Sequence, residues 1–266
     1  MSITQDPVGE AFRAGDLQAA RAAAMGAVRA APRDAGLRWR LAEILLLCGE
    51  IARADTALDA VLEEKPGPAV LEFRRLLRAE QQRRDVYAAG RLPAFQGDDP
   101  TPAQRAALRA LTLQRAGDAA GAAEAAAEAE ALRPRITGTA DGVGFSDLRD
   151  ADDLLAPQLE VLTSGGDALW VPLERLSSLA LEPIRRPRDL AFRRATLVLK
   201  DGTEGLVFLP LLYARNSEND AQRLGRETAW SEGEGPVTGT GLRLFLADGL
   251  PQDTLSLAEV TELGFA

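Results

Sequence analysis

The sequence predicts an α+β protein in which all-α helical hairpins over residues 1–137 are followed by a small antiparallel, β-rich α+β domain over residues 138–266. Three observations carry this reading. Up to about residue 136 the chain is dominated by Ala, Leu, Arg and Glu, which favour helix, whereas β-branched residues and Gly-containing turns gather beyond it. Pro32, Pro66, Pro100 and Pro134 recur every 34 residues and stop where that composition changes. The net charge of −9 falls wholly on the second part, because residues 1–136 carry 19 basic and 19 acidic side chains against 12 and 21 in the remainder. Residues 135–144 are therefore expected to be a protease-sensitive linker with a separate core on either side.

Within the first part the period reflects a repeated hairpin. Gly15-Asp16-Leu17-Gln18-Ala19-Ala20, Gly49-Glu50-Ile51-Ala52-Arg53-Ala54 and Gly117-Asp118-Ala119-Ala120-Gly121-Ala122 share a Gly-acid start and a later Ala, at spacings of 34 and 68 residues. That repeat length is the one found in the tetratricopeptide family. In the second register Leu37, Leu41, Ile44, Leu45 and Cys48 recur at helical spacing and Gly49 turns the chain. Ala54, Leu58 and Val61 form the returning face, and Pro66 ends it. Ala54 is small because two helices cross there. The third register departs, with Arg83 at the glycine position inside the polar run 78–85. A longer helix or a looser hairpin is expected there, ending before Pro93.

Beyond the linker the pattern shortens to strands and tight turns. Asp152 is expected to cap a short helix over residues 153–155. Residues 158–163 and 168–172 read as a hairpin closed by Gly165-Gly166-Asp167, and residues 178–182 as a further strand. Residues 195–199 and 204–209 flank Asp201-Gly202, a dipeptide favoured by primed hairpin turns. Residues 242–246, a turn at Asp248-Gly249 and residues 254–263 complete the set.

Composition removes much chemistry. Without histidine there is no Ser-His-Asp or Cys-His triad, no imidazole zinc site and no imidazole switch near neutral pH. A pI near 4.8 disfavours nucleic acid as a partner. No Gly-x-x-x-x-Gly-Lys-Ser/Thr loop occurs, and no cofactor is expected. The single cysteine, Cys48, lies in an apolar run and reads as a small core hydrophobe. No stretch approaches the ~20 apolar residues of a membrane helix and no leader pattern opens the chain, so a cytoplasmic protein without a membrane partner is expected. Asp147, Asp150, Asp152 and Asp153 lack the spacing of a calcium loop, and apart from the Asp152 cap they are expected to be solvated. A hydrolase built on an unrecognised carboxylate site in the strand domain is the enzymatic alternative. Arg185, Arg186, Arg188, Arg193 and Arg194 are expected to pair with local carboxylates or water, or else to dock an acidic partner surface. Trp170 and Trp230 are expected to be at least partly buried; Trp39, one position off the Leu37–Leu41 row, faces either a groove or the core.

Several strings in the second part resemble a known family. Phe145, Asp150-Ala151-Asp152, Leu159-Glu160, Trp170-Val171-Pro172-Leu173-Glu174-Arg175-Leu176, Asp189-Leu190, Tyr213, Ser217-Glu218, Leu224-Gly225-Arg226 and Thr228-Ala229-Trp230 fall in an order that resembles the ImpE family, also called TagJ. The likeness runs over nearly the whole chain, including the helical Gly-Asp-Leu start and the Arg-rich third register. Gly241-Leu242-Arg243 stands where the family has Gly-Gln-Arg, and Ser146 where it has an aromatic residue. The resemblance implies an accessory component of a bacterial type VI secretion system. It would be a non-enzymatic adaptor that meets the small sheath subunit and the sheath-recycling AAA+ ATPase. Inner-face positions assigned from the repeat register put Phe12, Arg13, Trp39, Glu43, Leu46, Phe73, Leu77 and Glu80 on one concave surface. That surface is expected to accept an amphipathic helix, the N-terminal helix of the small sheath subunit.

Overall fold

In the computed structural model, which describes residues 6–266, the first half of the chain is helical. The helices α1 (Pro7–Ala14) and α2 (Leu17–Ala30), α3 (Ala35–Leu47) and α4 (Ile51–Glu64), and α6 (Pro102–Arg115) and α7 (Ala119–Leu132) pair as hairpins, with α5 (Pro68–Ala88) between the second and third. The repeated glycine and acid explain the turns. Gly15, Gly49 and Gly117 adopt the left-handed conformation, with φ of +87°, +79° and +83°, that ends the first helix of each pair. Asp16 and Asp118 then cap the returning helix by accepting from the amides of Ala19 and Gly121. Glu50 makes no such cap; its carboxylate pairs with Arg21 and Arg53. Ala54 has no exposed surface, as a crossing point between helices requires. Of the longer helix or looser hairpin expected for the third register, the structure has the longer helix, since α5 runs for 21 residues without a turn.

The second half folds around a nine-stranded sheet. Its strands are β1 (Ala94–Phe95), β2 (Gly138–Ala140), β3 (Val143–Phe145), β5 (Gln158–Thr163), β6 (Ala168–Pro172), β7 (Leu176–Leu181), β8 (Arg193–Leu199), β9 (Glu204–Leu209) and β14 (Glu262–Phe265). They lie in the order β1-β6-β5-β9-β8-β7-β14-β2-β3, antiparallel except where β1 joins β6 in parallel. A smaller sheet places β12 (Phe245–Asp248) between β4 (Asp147–Asp150) and β13 (Thr254–Leu255). A ribbon of β10 (Thr228–Trp230) and β11 (Gly239–Gly241) and a short helix α8 (Asp220–Arg223), which the sequence reading does not foresee, complete the fold.

Three expectations are corrected. Much of the expected linker is sheet: residues 138–145 form the β2–β3 hairpin, turned by Asp141-Gly142 with φ of +46° and +82°. The Asp-Gly dipeptide is the same signal that marks Asp201-Gly202, where the expected primed turn is not formed, because Gly202 alone takes a positive φ, of +85°. Residues 153–155 form a turn, not a helix, in which the Leu154 amide donates to the Asp152 side chain (3.0 Å). The cores are not separate. One apolar cluster joins Ile44, Leu46, Phe73 and Leu76 of the helices to Leu162, Phe192 and Phe208 of the strands. Another joins Val86, Leu111 and Ala125 to Leu154, Trp170 and Tyr213. A single layer of short hairpins leaves one apolar face bare, and here the sheet covers it.

Candidate partner-binding face

Two contacts between helices and sheet define what this surface can do. The first is a buried network along α5. Arg83, which occupies the glycine position of the third register, is 3% exposed. Its Nε and Nη2 donate to Glu80 (2.7 and 3.0 Å), and its Nη1 donates to Glu160 on β5 (3.0 Å). Glu160 also accepts from the Tyr87 hydroxyl (2.7 Å) and from Arg243 (3.3 Å). Arg243 donates to Asp150 (2.5 Å), which accepts from the Tyr213 hydroxyl (3.0 Å) and the Asp152 amide (2.8 Å). Asp152 in turn pairs with Arg215 and accepts from the Gly239 amide.

Burial acts on the ionisation of these groups together with their neighbours' charges. It pushes the Asp150 carboxyl up to about 6, with Arg243 pulling against it and Asp152 adding to the rise. For Glu80 burial acts in the same direction, but the charges of Arg83 and Arg84 more than offset it and hold that carboxyl below its usual range. Tyr87 and Tyr213 are raised by burial and by the neighbouring carboxylates, so both hydroxyls stay protonated donors. Such a network holds elements together, because a buried charge deprived of its partner is strongly destabilising. The expectation of solvated aspartates is therefore corrected: Asp147 pairs with Arg133 (2.7 Å), Asp153 with Arg149 (3.0 Å), and Asp150 and Asp152 lie inside the network. Among the described residues no cluster of three such side chains is placed to hold a metal ion.

The second contact covers the inner face of the helices. Five of the eight residues assigned to one concave surface are buried beneath the chain itself: Glu43, Leu46, Phe73, Leu77 and Glu80. They do not line an open groove, because the sheet and a strap over residues 183–190 fill it. Phe73 meets Phe192 edge-on with ring centroids 6.1 Å apart, while Leu46 and Leu77 join the shared apolar cluster. Glu80 belongs to the network. Glu43 accepts from Trp39 Nε1 (2.9 Å) and pairs with Arg186 of the strap (3.1 Å), and burial raises its carboxyl. Trp39 stands between core and groove: half-buried, it lies 5.4 Å from Phe73 and has the guanidinium groups of Arg186 and Arg188 over its ring at 5.4 and 5.3 Å.

Phe12, Arg13 and part of Trp39 keep access to solvent. Phe12 and Arg13 border a cleft of about 360 Å³ closed on its far side by the strap, and Trp39 borders a second, of about 350 Å³, with Val61 and Val70. In the sequence the strap reads only as an arginine cluster: Arg194 does pair locally, with Glu182, but Arg186 reaches Glu43 on α3, and Arg193 is buried on backbone carbonyls. Cys48 is half-buried with its thiol pushed up to about 11 by burial, so it stays protonated near neutral pH. Trp170 is 3% exposed, whereas Trp230, stacked edge-on against Tyr213, keeps 39%.

The chain has relatives along its whole length. The profile of the family described as ImpE protein matches residues 142–264, and a tetratricopeptide repeat profile matches residues 11–79. The type VI secretion system accessory component TagJ of Pseudomonas aeruginosa PAO1 is 35% identical over 262 residues, spanning 96% of this chain and 90% of that relative. An X-ray structure of a Vibrio parahaemolyticus protein superposes with a TM-score of 0.89 at 27% identity, covering 97% of each chain.

Proposed function

Because the chain belongs to the ImpE family, the family of the type VI secretion accessory component TagJ, we propose that it is a non-enzymatic adaptor of a bacterial type VI secretion system. It tethers the sheath, through the N-terminal helix of the small sheath subunit, to the sheath-recycling AAA+ ATPase. The observation that carries this reading is the likeness to TagJ over 96% of the chain, together with helical hairpins whose inner face is only partly covered. Holding two weakly associating proteins together raises their local concentration, and the gain can reach ~100-fold without new contacts between them. The sheath helix docks where Phe12, Arg13 and part of Trp39 keep access to solvent.

The non-enzymatic reading is supported by the acids themselves. Each carboxylate between Asp147 and Asp153 is held by an arginine or a backbone amide, as a structural group is. The test is a titration of the isolated sheath helix against the full chain, followed by capture of the ATPase on the resulting complex. Saturable helix binding and ATPase capture are expected, with no turnover in a broad substrate screen. Absence of helix binding removes the sheath half of the proposal, and absence of capture removes the other.

A further inference from the structure

We infer that the tip of the β10–β11 ribbon is a docking surface for a basic partner protein, which lays an arginine or lysine side chain against Trp230 beside the carboxylates of Glu232 and Glu234. The surface belongs to the strand half, so the inference stands independently of where the sheath helix docks. Of the three tryptophans, Trp170 is packed inside and Trp39 has two guanidinium groups of its own chain over its ring. Trp230 is 39% exposed, and among the described residues no cation lies over it. Directly across the ribbon from it stands Gly239, whose missing side chain leaves room for the Tyr213 ring on which Trp230 rests edge-on, centroids 6.0 Å apart. Val237, two residues before Gly239 and so on the same face by register, is 43% exposed. Trp230 closes the Thr228-Ala229-Trp230 string, to which the adaptor reading gives no role.

Charge decides what covers these rings. Glu232 and Glu234 are exposed in the loop that joins the two strands, and among the described residues neither has an arginine or lysine within ion-pair distance. The arginines beside the ribbon are satisfied within the chain: Arg149 pairs with Asp153 (3.0 Å) and Glu130 (3.3 Å), and Arg215 pairs with the buried Asp152. The acid of the loop is therefore not offset, and it lies in the half of the chain that carries the whole net charge of −9. A basic surface is attracted to it, and a cation within ~6 Å of a tryptophan face is stabilised by the ring. The loop is also held in shape. The Ser231 amide donates to the Thr238 carbonyl (2.8 Å), the Thr238 amide to Ser231 Oγ (2.9 Å), and Ser231 Oγ to the Pro236 carbonyl (3.3 Å). Asp153 brackets Val237, accepting from its amide (2.8 Å) and donating to its carbonyl (2.9 Å). An aromatic anchor on a preformed loop loses little freedom on binding, and tryptophan is enriched among the residues that carry interface energy.

The test uses the full chain and two short labelled peptides with the same apolar residues, one carrying Arg and the other Glu between them. Fluorescence anisotropy is expected to show the Arg peptide binding about 10-fold more tightly than the Glu peptide, with the difference shrinking as salt is added. The double variant Glu232→Gln/Glu234→Gln is expected to remove most of that preference. Glu63→Gln/Glu64→Gln, which removes the same charge from exposed positions on α4, is expected to leave it within about 2-fold. Trp230→Ala is expected to weaken the Arg peptide about 10-fold. Because Trp230 rests on Tyr213, Val237→Ser serves as a second truncation, expected to weaken the peptide several-fold with circular dichroism and the urea midpoint unchanged. Equal affinity for the two peptides, or no binding of either, overturns the inference. So does an equal loss in the Glu63/Glu64 variant, which would mean that the peptide follows the net charge of the chain and not the ribbon. An affinity unmoved by both Val237→Ser and a folded Trp230→Ala also overturns it, as does self-association of the chain that Trp230→Ala abolishes, which gives the surface to a second copy.

Discussion

Where α5 lies against β5, the two halves of the chain are joined by charged groups almost without exposed surface; where α3 faces the strap, they are joined by a half-buried tryptophan, one ion pair and clefts on three sides. The two contacts use the same residue types, arginine, glutamate and aromatic rings, yet they serve different ends. In the first, arginines are shared between carboxylates and water is excluded, so removing one partner strands another. In the second, Arg186 keeps half its surface in solvent, and among the described residues Arg185 has no carboxylate within ion-pair distance. Closed pairing marks the clamp, and incomplete pairing marks the face open to a partner.

The comparison breaks most easily at Arg243. Arg243→Met should cost about 3–5 kcal/mol in urea denaturation at neutral pH, because Asp150 is then buried without its cation. A cost below about 1 kcal/mol would show that the network does not clamp the halves. Phe73→Ala should cost about 3 kcal/mol, as truncation of a fully buried ring does. If it instead left stability intact, Phe73 would belong to an open groove.

Acidity sharpens the same contrast. Asp150 titrates near 6 in the folded chain and near 4 when unfolded, so between those values the folded protein holds a proton that the unfolded chain releases. Its favourable contribution is present below about 4 and is lost as pH rises through 6. Asp150→Asn carries no such proton, so from pH 4 to 7 the wild type should lose on the order of 2 kcal/mol relative to that variant, read from paired urea midpoints. Identical pH slopes would mean that Asp150 is not the titrating group. The smallest effects belong to the strap contact. Trp39→Ala should cost about 1–2 kcal/mol for a ring already half in solvent, and Arg185→Ala less than about 0.5 kcal/mol. A cost for Trp39→Ala as large as that for Phe73→Ala would place Trp39 fully in the core.

Much of the fold was legible. The hairpin turns follow from glycine and acid placed in register, and the strand pairs around Gly165-Gly166-Asp167 and Asp201-Gly202 follow from alternation and turn chemistry. The β2–β3 hairpin carried the same Asp-Gly signal, and the surrounding Gly and Thr made it read as linker. The candidate face was legible in part: the register placed eight residues on one side of the helices, but it carried no information about what lies over that side. Arg83 was visible as a departure from the repeat, without the Glu160 that explains it.

The linear chain is enough for whatever depends on neighbours a few residues apart, such as the left-handed glycines, the aspartate caps and the two-residue strand alternation, and for what can be counted along it, the 34-residue period and the confinement of the net negative charge to the second half. Tertiary structure alone decided which of those faces meet. Arg83 and Glu160 are 77 positions apart and Arg243 and Glu160 are 83, and the strap reaches Glu43 from Arg186. Contacts at such separation leave no periodic trace in a single chain. They form because apolar surface on the inner side of the helices must be covered, and the strand half is the part of the chain that covers it.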